Sequence, residues 1–131
     1  MKTITLVTLI LLLLILPITL AIAKDVPQLT DDQKELAIIG IKVYDEVQDA
    51  AIIQDGERLS LALMVGYATN EETAKDLGDS FVRMVKSSCG DTPPGKEIGP
   101  GIYTYLIGVF YPDKSEVISG AKCGMCESIY W

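Results

Sequence analysis

The chain has 131 residues and a net charge of −7, with no histidine and three cysteines. Acidity without an offsetting basic block repels nucleic acid and anionic membrane surfaces. A chain without histidine builds no Ser-His-Asp or Cys-His nucleophilic centre of its own.

Met1-Lys2 precede an almost unbroken apolar run from Ile4 to Ile22, closed by Ala21-Ile22-Ala23. One positive charge, a long apolar segment and a small-x-small end are the parts of a secretory signal. Pro17 sits just before that end, where a helix break presents the site to a peptidase in extended form. Residues 4–22 also approach the length of a membrane-spanning helix, so an uncleaved N-terminal anchor is the alternative. Thr5, Thr8, Pro17 and Thr19 interrupt the run and favour cleavage after Ala23. The expectation is therefore a signal peptide over 1–23 and a single exported α+β domain over 24–131, secreted or extracytoplasmic, and tethered to the cell surface if 4–22 is retained. With Lys2 removed, ten basic residues face eighteen acidic ones, a net charge of −8.

Lys24 to Leu29 reads as a lead-in. Thr30-Asp31-Asp32-Gln33 fits a capping box opening a helix, with Asp31, Asp32 and Glu35 at the positive end of its dipole. Leu36, Ile39, Val43 and Val47 recur at helical spacing and predict its apolar stripe; Gly40 weakens it. From Val47 the period falls to two. Runs on either side of Asp55-Gly56 predict a β-hairpin turning on those two residues. Ile52 then faces Leu59, Ala50 faces Leu61, and Leu59, Leu61, Leu63 and Val65 share the core face.

Thr69-Asn70-Glu71-Glu72 predicts a second capping box, with Ala74, Leu77, Phe81, Met84 and Val85 as the stripe of a second helix and Gly90 as its left-handed stop. Gly90 to Gly101 is a Pro- and Gly-rich loop. Ile102 to Tyr111, a turn over Pro112-Asp113-Lys114-Ser115, and Glu116 to Cys123 predict a second hairpin. The expected fold is α+β in the order α-β-β-α-β-β, with two helices packed on one face of a four-stranded, mainly antiparallel sheet.

Cys123-Gly124-Met125-Cys126 is the sharpest motif. A redox pair needs its first cysteine at a helix N-terminus, whereas this motif ends a predicted strand. A structural zinc site takes four Cys or His ligands, and this chain offers only Cys89 besides Cys123 and Cys126. A structural disulfide is the favoured expectation. A Cys89–Cys123 or Cys89–Cys126 bridge would tie the long loop shut; a Cys123–Cys126 bridge would close a tiny loop and leave Cys89 free.

Gly90 to Glu97 superficially matches a phosphate-binding loop, but Glu97 stands where Ser or Thr must hold magnesium, and helix-then-strand order is reversed. Asp45, Glu46 and Asp49, and Glu71, Glu72, Asp76 and Asp79, lack calcium-loop spacing and read as caps and solvated faces.

In the third strand Tyr103, Tyr105, Ile107, Val109 and Tyr111 project to one face, and Ile102, Leu106 and Phe110 to the other. The tyrosine side, joined by Ile118 and by Ile53, Ala62 and Met64, is expected to be the sheet face away from the helices. Its composition suits a partner interface, unless the Ile129-Tyr130-Trp131 tail covers it. The sequence thus points to an exported, non-enzymatic binding or assembly module using this face for a protein partner or homo-oligomer. The alternative is a thiol-dependent redox or metal-binding protein centred on Cys123, Cys126 and Cys89. No cofactor and no nucleic acid are implied, and a membrane only through 4–22.

Overall fold

The computed structural model describes residues 26–90 and 97–131. Residues 1–25, which include the expected signal segment, and residues 91–96 of the loop that mimics a phosphate-binding motif lie outside the described residues. The elements are α1 (Asp31–Ile41), β1 (Val47–Asp55), β2 (Arg58–Val65), α2 (Glu71–Ser88), β3 (Thr104–Phe110) and β4 (Glu116–Lys122). The order is α-β-β-α-β-β, and the fold class is α+β.

The sheet runs β1-β2-β3-β4. Its outer pairs are antiparallel hairpins, but β2 and β3 are parallel, so the sheet is mixed rather than mainly antiparallel. The reason is length. The 18 residues of α2 extend about 27 Å at the helical rise, which matches the span of an eight-residue strand at about 3.3 Å per residue. The helix returns the chain to the end of the sheet where β2 began, and β3 must set out alongside it.

The first turn differs from expectation by one position. Asp55 pairs with Arg58, Ile52 with Leu61 and Ala50 with Leu63, so Gly56-Glu57 forms the loop. Gly56 alone has positive φ (62°), which assigns it the first turn position. The changed pairing spans two residues in register, so Leu59, Leu61, Leu63 and Val65 keep the core face.

Both helix starts are capped by side chains. Thr30 Oγ1 accepts from the Gln33 amide at 3.1 Å while Gln33 Oε1 accepts from the Thr30 amide at 2.9 Å, the expected box. At α2 the cap is Asn70, not Thr69: Asn70 Oδ1 accepts from the Thr73 amide at 2.8 Å. Thr69 is buried, and its carbonyl accepts from the Tyr111 hydroxyl at 2.7 Å. Gly90, at φ 80°, stops α2 as expected.

The main core lies between the helices and one sheet face. It joins Ala37 and Ile41 of α1, Ala74, Leu77, Phe81, Val82 and Val85 of α2, and Leu59, Leu61, Leu63, Tyr105, Ile107 and Val109 of the sheet. On α1 the buried pair is Ala37 and Ile41, not the predicted stripe. The helices approach closely there, since a Cβ on Gly40 would lie 3.0 Å from Met84 Sδ. Ala37, Gly40 and Ile41 face inward there, and Leu36 and Ile39 are turned out.

The C-terminal tail completes this core. Tyr130 pairs with Ala121 through two backbone hydrogen bonds, and Trp131 packs between α2 and β4. A Cβ on Gly78 would stand 2.5 Å from the Trp131 ring, and one on Gly120 would stand 2.7 Å from it and 2.9 Å from the Tyr130 carbonyl. Gly78→Ala and Gly120→Ala are each expected to destabilise the domain by about 1–3 kcal/mol through overpacking, read as a lowered urea midpoint at unchanged m-value.

Candidate functional site

The predicted tyrosine face is not an open surface. The parallel register sets Leu59 beside Tyr105, Leu61 beside Ile107 and Leu63 beside Val109, and laterally paired residues share a sheet face. The tyrosine row therefore lies with the leucines beneath the helices. Tyr103, Tyr105, Ile107 and Val109 are buried, and Ile118, opposite Val109, packs at the edge of the same core. Tyr111 is half-buried and stacks on Tyr67 at 5.5 Å. Ile53, Ala62 and Met64 lie on the opposite face with Leu106 and Phe110, contrary to the expectation that they accompany the tyrosines.

The cysteines converge on one end of the sheet. Cys123 and Cys126 form a disulfide, with Cα atoms 5.1 Å apart, and the half-buried Cys89 stands outside that bond; the longer Cys89 bridges do not form. The disulfide closes a turn after β4, stabilised by the Cys126 amide donating to the Cys123 carbonyl at 3.1 Å. No helix starts at Cys123, so the helix N-terminal placement of a redox-active cysteine pair is not found here. Among the described residues no three Cys, Asp or Glu side chains gather as a metal site requires.

A buried cation organises this end. Lys86 Nζ donates to the carbonyls of Ile98, Gly99 and Pro100 at 3.1, 3.2 and 3.1 Å. The loop so held bonds in turn to the disulfide turn, the Gly101 amide donating to the Gly124 carbonyl at 2.7 Å and the Gly99 amide to the Glu127 carbonyl at 2.8 Å. Lys122, also buried, donates to the Cys123 carbonyl at 3.2 Å and stands 5.9 Å from the Tyr105 ring centroid. Lys86 was missed in the sequence, although its position four residues after Val82 puts it on the buried side of α2.

Between Lys86, Cys89, Leu29, Ile102, Tyr103 and Tyr105 lies a cleft of about 230 Å3. That is smaller than the roughly 300–1,000 Å3 of a typical ligand pocket. Tyr103 spans its floor and donates to the Pro27 carbonyl at 2.6 Å. Burial, and secondarily the charge of Cys89, raise the Tyr103 pKa.

The exposed apolar residues are elsewhere. Leu36 and Ile39 on the outer side of α1 are 63% and 57% exposed, and Val43, in the turn just after the helix, is 77% exposed, with Tyr44 next to it. Leu36 and Tyr44 also wall an open groove of about 490 Å3 against Met84, Arg83 and Ser80 of α2. Asp32 and Glu35 flank the stripe, and Arg83, paired with Asp79 at 2.7 Å, borders the groove. An apolar centre within a polar rim is the anatomy of a protein interface.

No protein-family model, curated protein or solved structure matches the chain.

Lys86→Met is expected to cost about 3 kcal/mol, because three loop carbonyls lose a charged donor, read as a lowered urea midpoint. The raised Tyr103 pKa means that the folded chain holds the phenolic proton more tightly than the unfolded one. This stabilisation is complete below about pH 10, the ordinary tyrosine value, and is lost as pH rises through the folded value. Tyr103→Phe is expected to remove that alkaline loss while costing about 1 kcal/mol at neutral pH through the missing hydrogen bond, measured as the unfolding midpoint against pH.

Proposed function

We propose that this chain is an exported, non-enzymatic binding or assembly module whose recognition surface is the outer face of α1. The supporting observation is the solvent-facing row Leu36, Ile39 and Val43. Leu36 and Ile39 on α1, and Val43 in the turn that follows it, are three large aliphatic side chains left open while Ala37 and Ile41 form the core contact, which is difficult to account for by folding alone. Exposed apolar stripes of this kind engage a protein partner through i, i+3, i+7 anchors, and the groove against Met84 extends the surface.

The export reading rests on the apolar run 4–22 with its Ala-x-Ala end, and the disulfide is compatible with an oxidising, extracytoplasmic setting. Among the described residues no helix is long and apolar enough to cross a membrane. A thiol-dependent role for Cys89, Cys123 and Cys126 has less support. The paired cysteines follow a strand, and the Cys89 thiol lies in a cleft built mainly of core residues.

Leu36→Glu combined with Val43→Glu is expected to leave stability within about 0.5 kcal/mol, as exposed substitutions do, and to weaken self-association or partner capture at least tenfold. Sedimentation velocity and pull-down from the exported fraction measure both. Cys89→Ser should leave association unchanged. A folded double variant that associates like the wild type would refute the reading.

A further inference from the structure

The domain holds its segment Ile129-Tyr130-Trp131 in the way that a sheet holds a peptide ligand. β4 is an outer strand of the sheet, with β3 on one side. On its other side Ala121 and Tyr130 exchange two backbone hydrogen bonds, of 2.9 and 2.8 Å. Side chains alternate along the segment as they do along a strand. Ile129 and Trp131 pack against the main core, whereas Tyr130 between them is 86% exposed. The Trp131 ring fills a slot that two glycines open. A Cβ on Gly78 would stand 2.5 Å from the ring and 3.2 Å from Ile107, and one on Gly120 would stand 2.7 Å from the ring and 2.9 Å from Ile129. Main-chain bonds to a sheet edge, with pockets for alternate side chains, are the geometry of peptide capture by strand addition.

Residues 122–129 reverse the chain between Ala121 and Tyr130, and the Cys123–Cys126 disulfide lies inside that reversal. Cys123 is exposed and Cys126 half-buried, so the bond is within reach of a reductant in solution. Backbone hydrogen bonds also hold the reversal, from the Gly101 amide to the Gly124 carbonyl and from the Gly99 amide to the Glu127 carbonyl. Ala121, Gly120 and Gly78, which receive the tail, lie outside it. The same tail from a second copy therefore meets the same groups, and only the connection differs. A short connection gives the chain's own tail an effective concentration on the order of millimolar. The disulfide restricts that connection and favours the chain's own tail further.

We propose that the β4 edge and the slot between Gly78 and Gly120 form a strand-addition site for the Ile-Tyr-Trp tail of a second copy, kept filled by the chain's own tail while the disulfide is intact. Reduction by a dithiol breaks the Cys123–Cys126 S–S bond, leaves two thiols, and converts the dithiol to its own disulfide. The tail is then released more often, and the site accepts a tail from outside. The Lys86 hydrogen bonds involve neither Cys123 nor Cys126, so the domain stays folded. This site shares no residue with the α1 surface and does not rest on that reading.

Trp131 is the single tryptophan of the chain, so its fluorescence reads the slot directly. In the full chain, dithiothreitol is expected to move the emission to longer wavelength and to raise the acrylamide quenching constant about twofold or more, with far-UV circular dichroism unchanged. Cys123→Ser combined with Cys126→Ser should show the same state without reductant. A labelled peptide Glu-Ser-Ile-Tyr-Trp, the sequence of residues 127–131, is expected to bind the reduced chain about tenfold more tightly than the oxidised chain, read by anisotropy. Tryptophan emission unchanged on reduction would overturn the proposal. So would peptide binding that does not differ between the two states, or loss of secondary structure on reduction. Leu36→Glu with Val43→Glu should leave both readouts unchanged, so failure here and failure of the α1 reading are distinguishable.

Discussion

The parallel pairing of β2 with β3 is the constraint on which the remaining structure depends. It fixes the two hairpins in relative register and thereby decides which half of β3 enters the core. Leu59, Leu61 and Leu63 form one apolar row, and the pairing extends it with Tyr105, Ile107 and Val109. α2 then has a broad apolar platform to cover, and the tail residue Trp131 fills the remaining space between α2 and β4 at two glycines. Had β3 entered from the opposite end, its paired residues and its neighbours under the helix would all differ.

Local features were legible because local chemistry determines them. The Thr30 box, the glycine stop at Gly90 and the existence of a hairpin at Asp55-Gly56 all follow from contacts within a few residues or from the period of two. The larger errors were non-local. Period alone shows that Tyr103, Tyr105, Ile107 and Val109 share a face, but not which face; that depends on a crossover whose direction is set by the length of α2. The α1 stripe was misread for a related reason. Helical spacing identified Leu36, Ile39 and Val43 correctly as one face, yet the close approach of Met84 to Gly40 selected the Ala37–Ile41 side for burial. Large apolar residues usually win that competition, and here interhelical distance reversed it.

The molecule consequently has two apolar surfaces of different character. The α1 stripe is convex, made of branched aliphatic side chains, and open to solvent. The second sheet face carries a row of small residues, Ala51, Ala62, Gly108 and Ser119, across its four strands. A convex ridge suits insertion into a partner's groove, whereas a trough of alanine and glycine suits reception of a ridge. Acidic side chains surround the first surface and repel indiscriminate association.

The disulfide is an unusual cross-link for a domain of this kind. It joins cysteines only three positions apart, and a loop so short restricts the unfolded chain by about 2 kcal/mol, compared with about 4 kcal/mol for a bridge from Cys89 across the long loop. Tertiary structure at this end relies instead on Lys86 and its three carbonyls, an arrangement to which thiol reagents are indifferent. Opening the bond therefore releases only that small restriction of about 2 kcal/mol, while the three Lys86 hydrogen bonds involve neither sulfur.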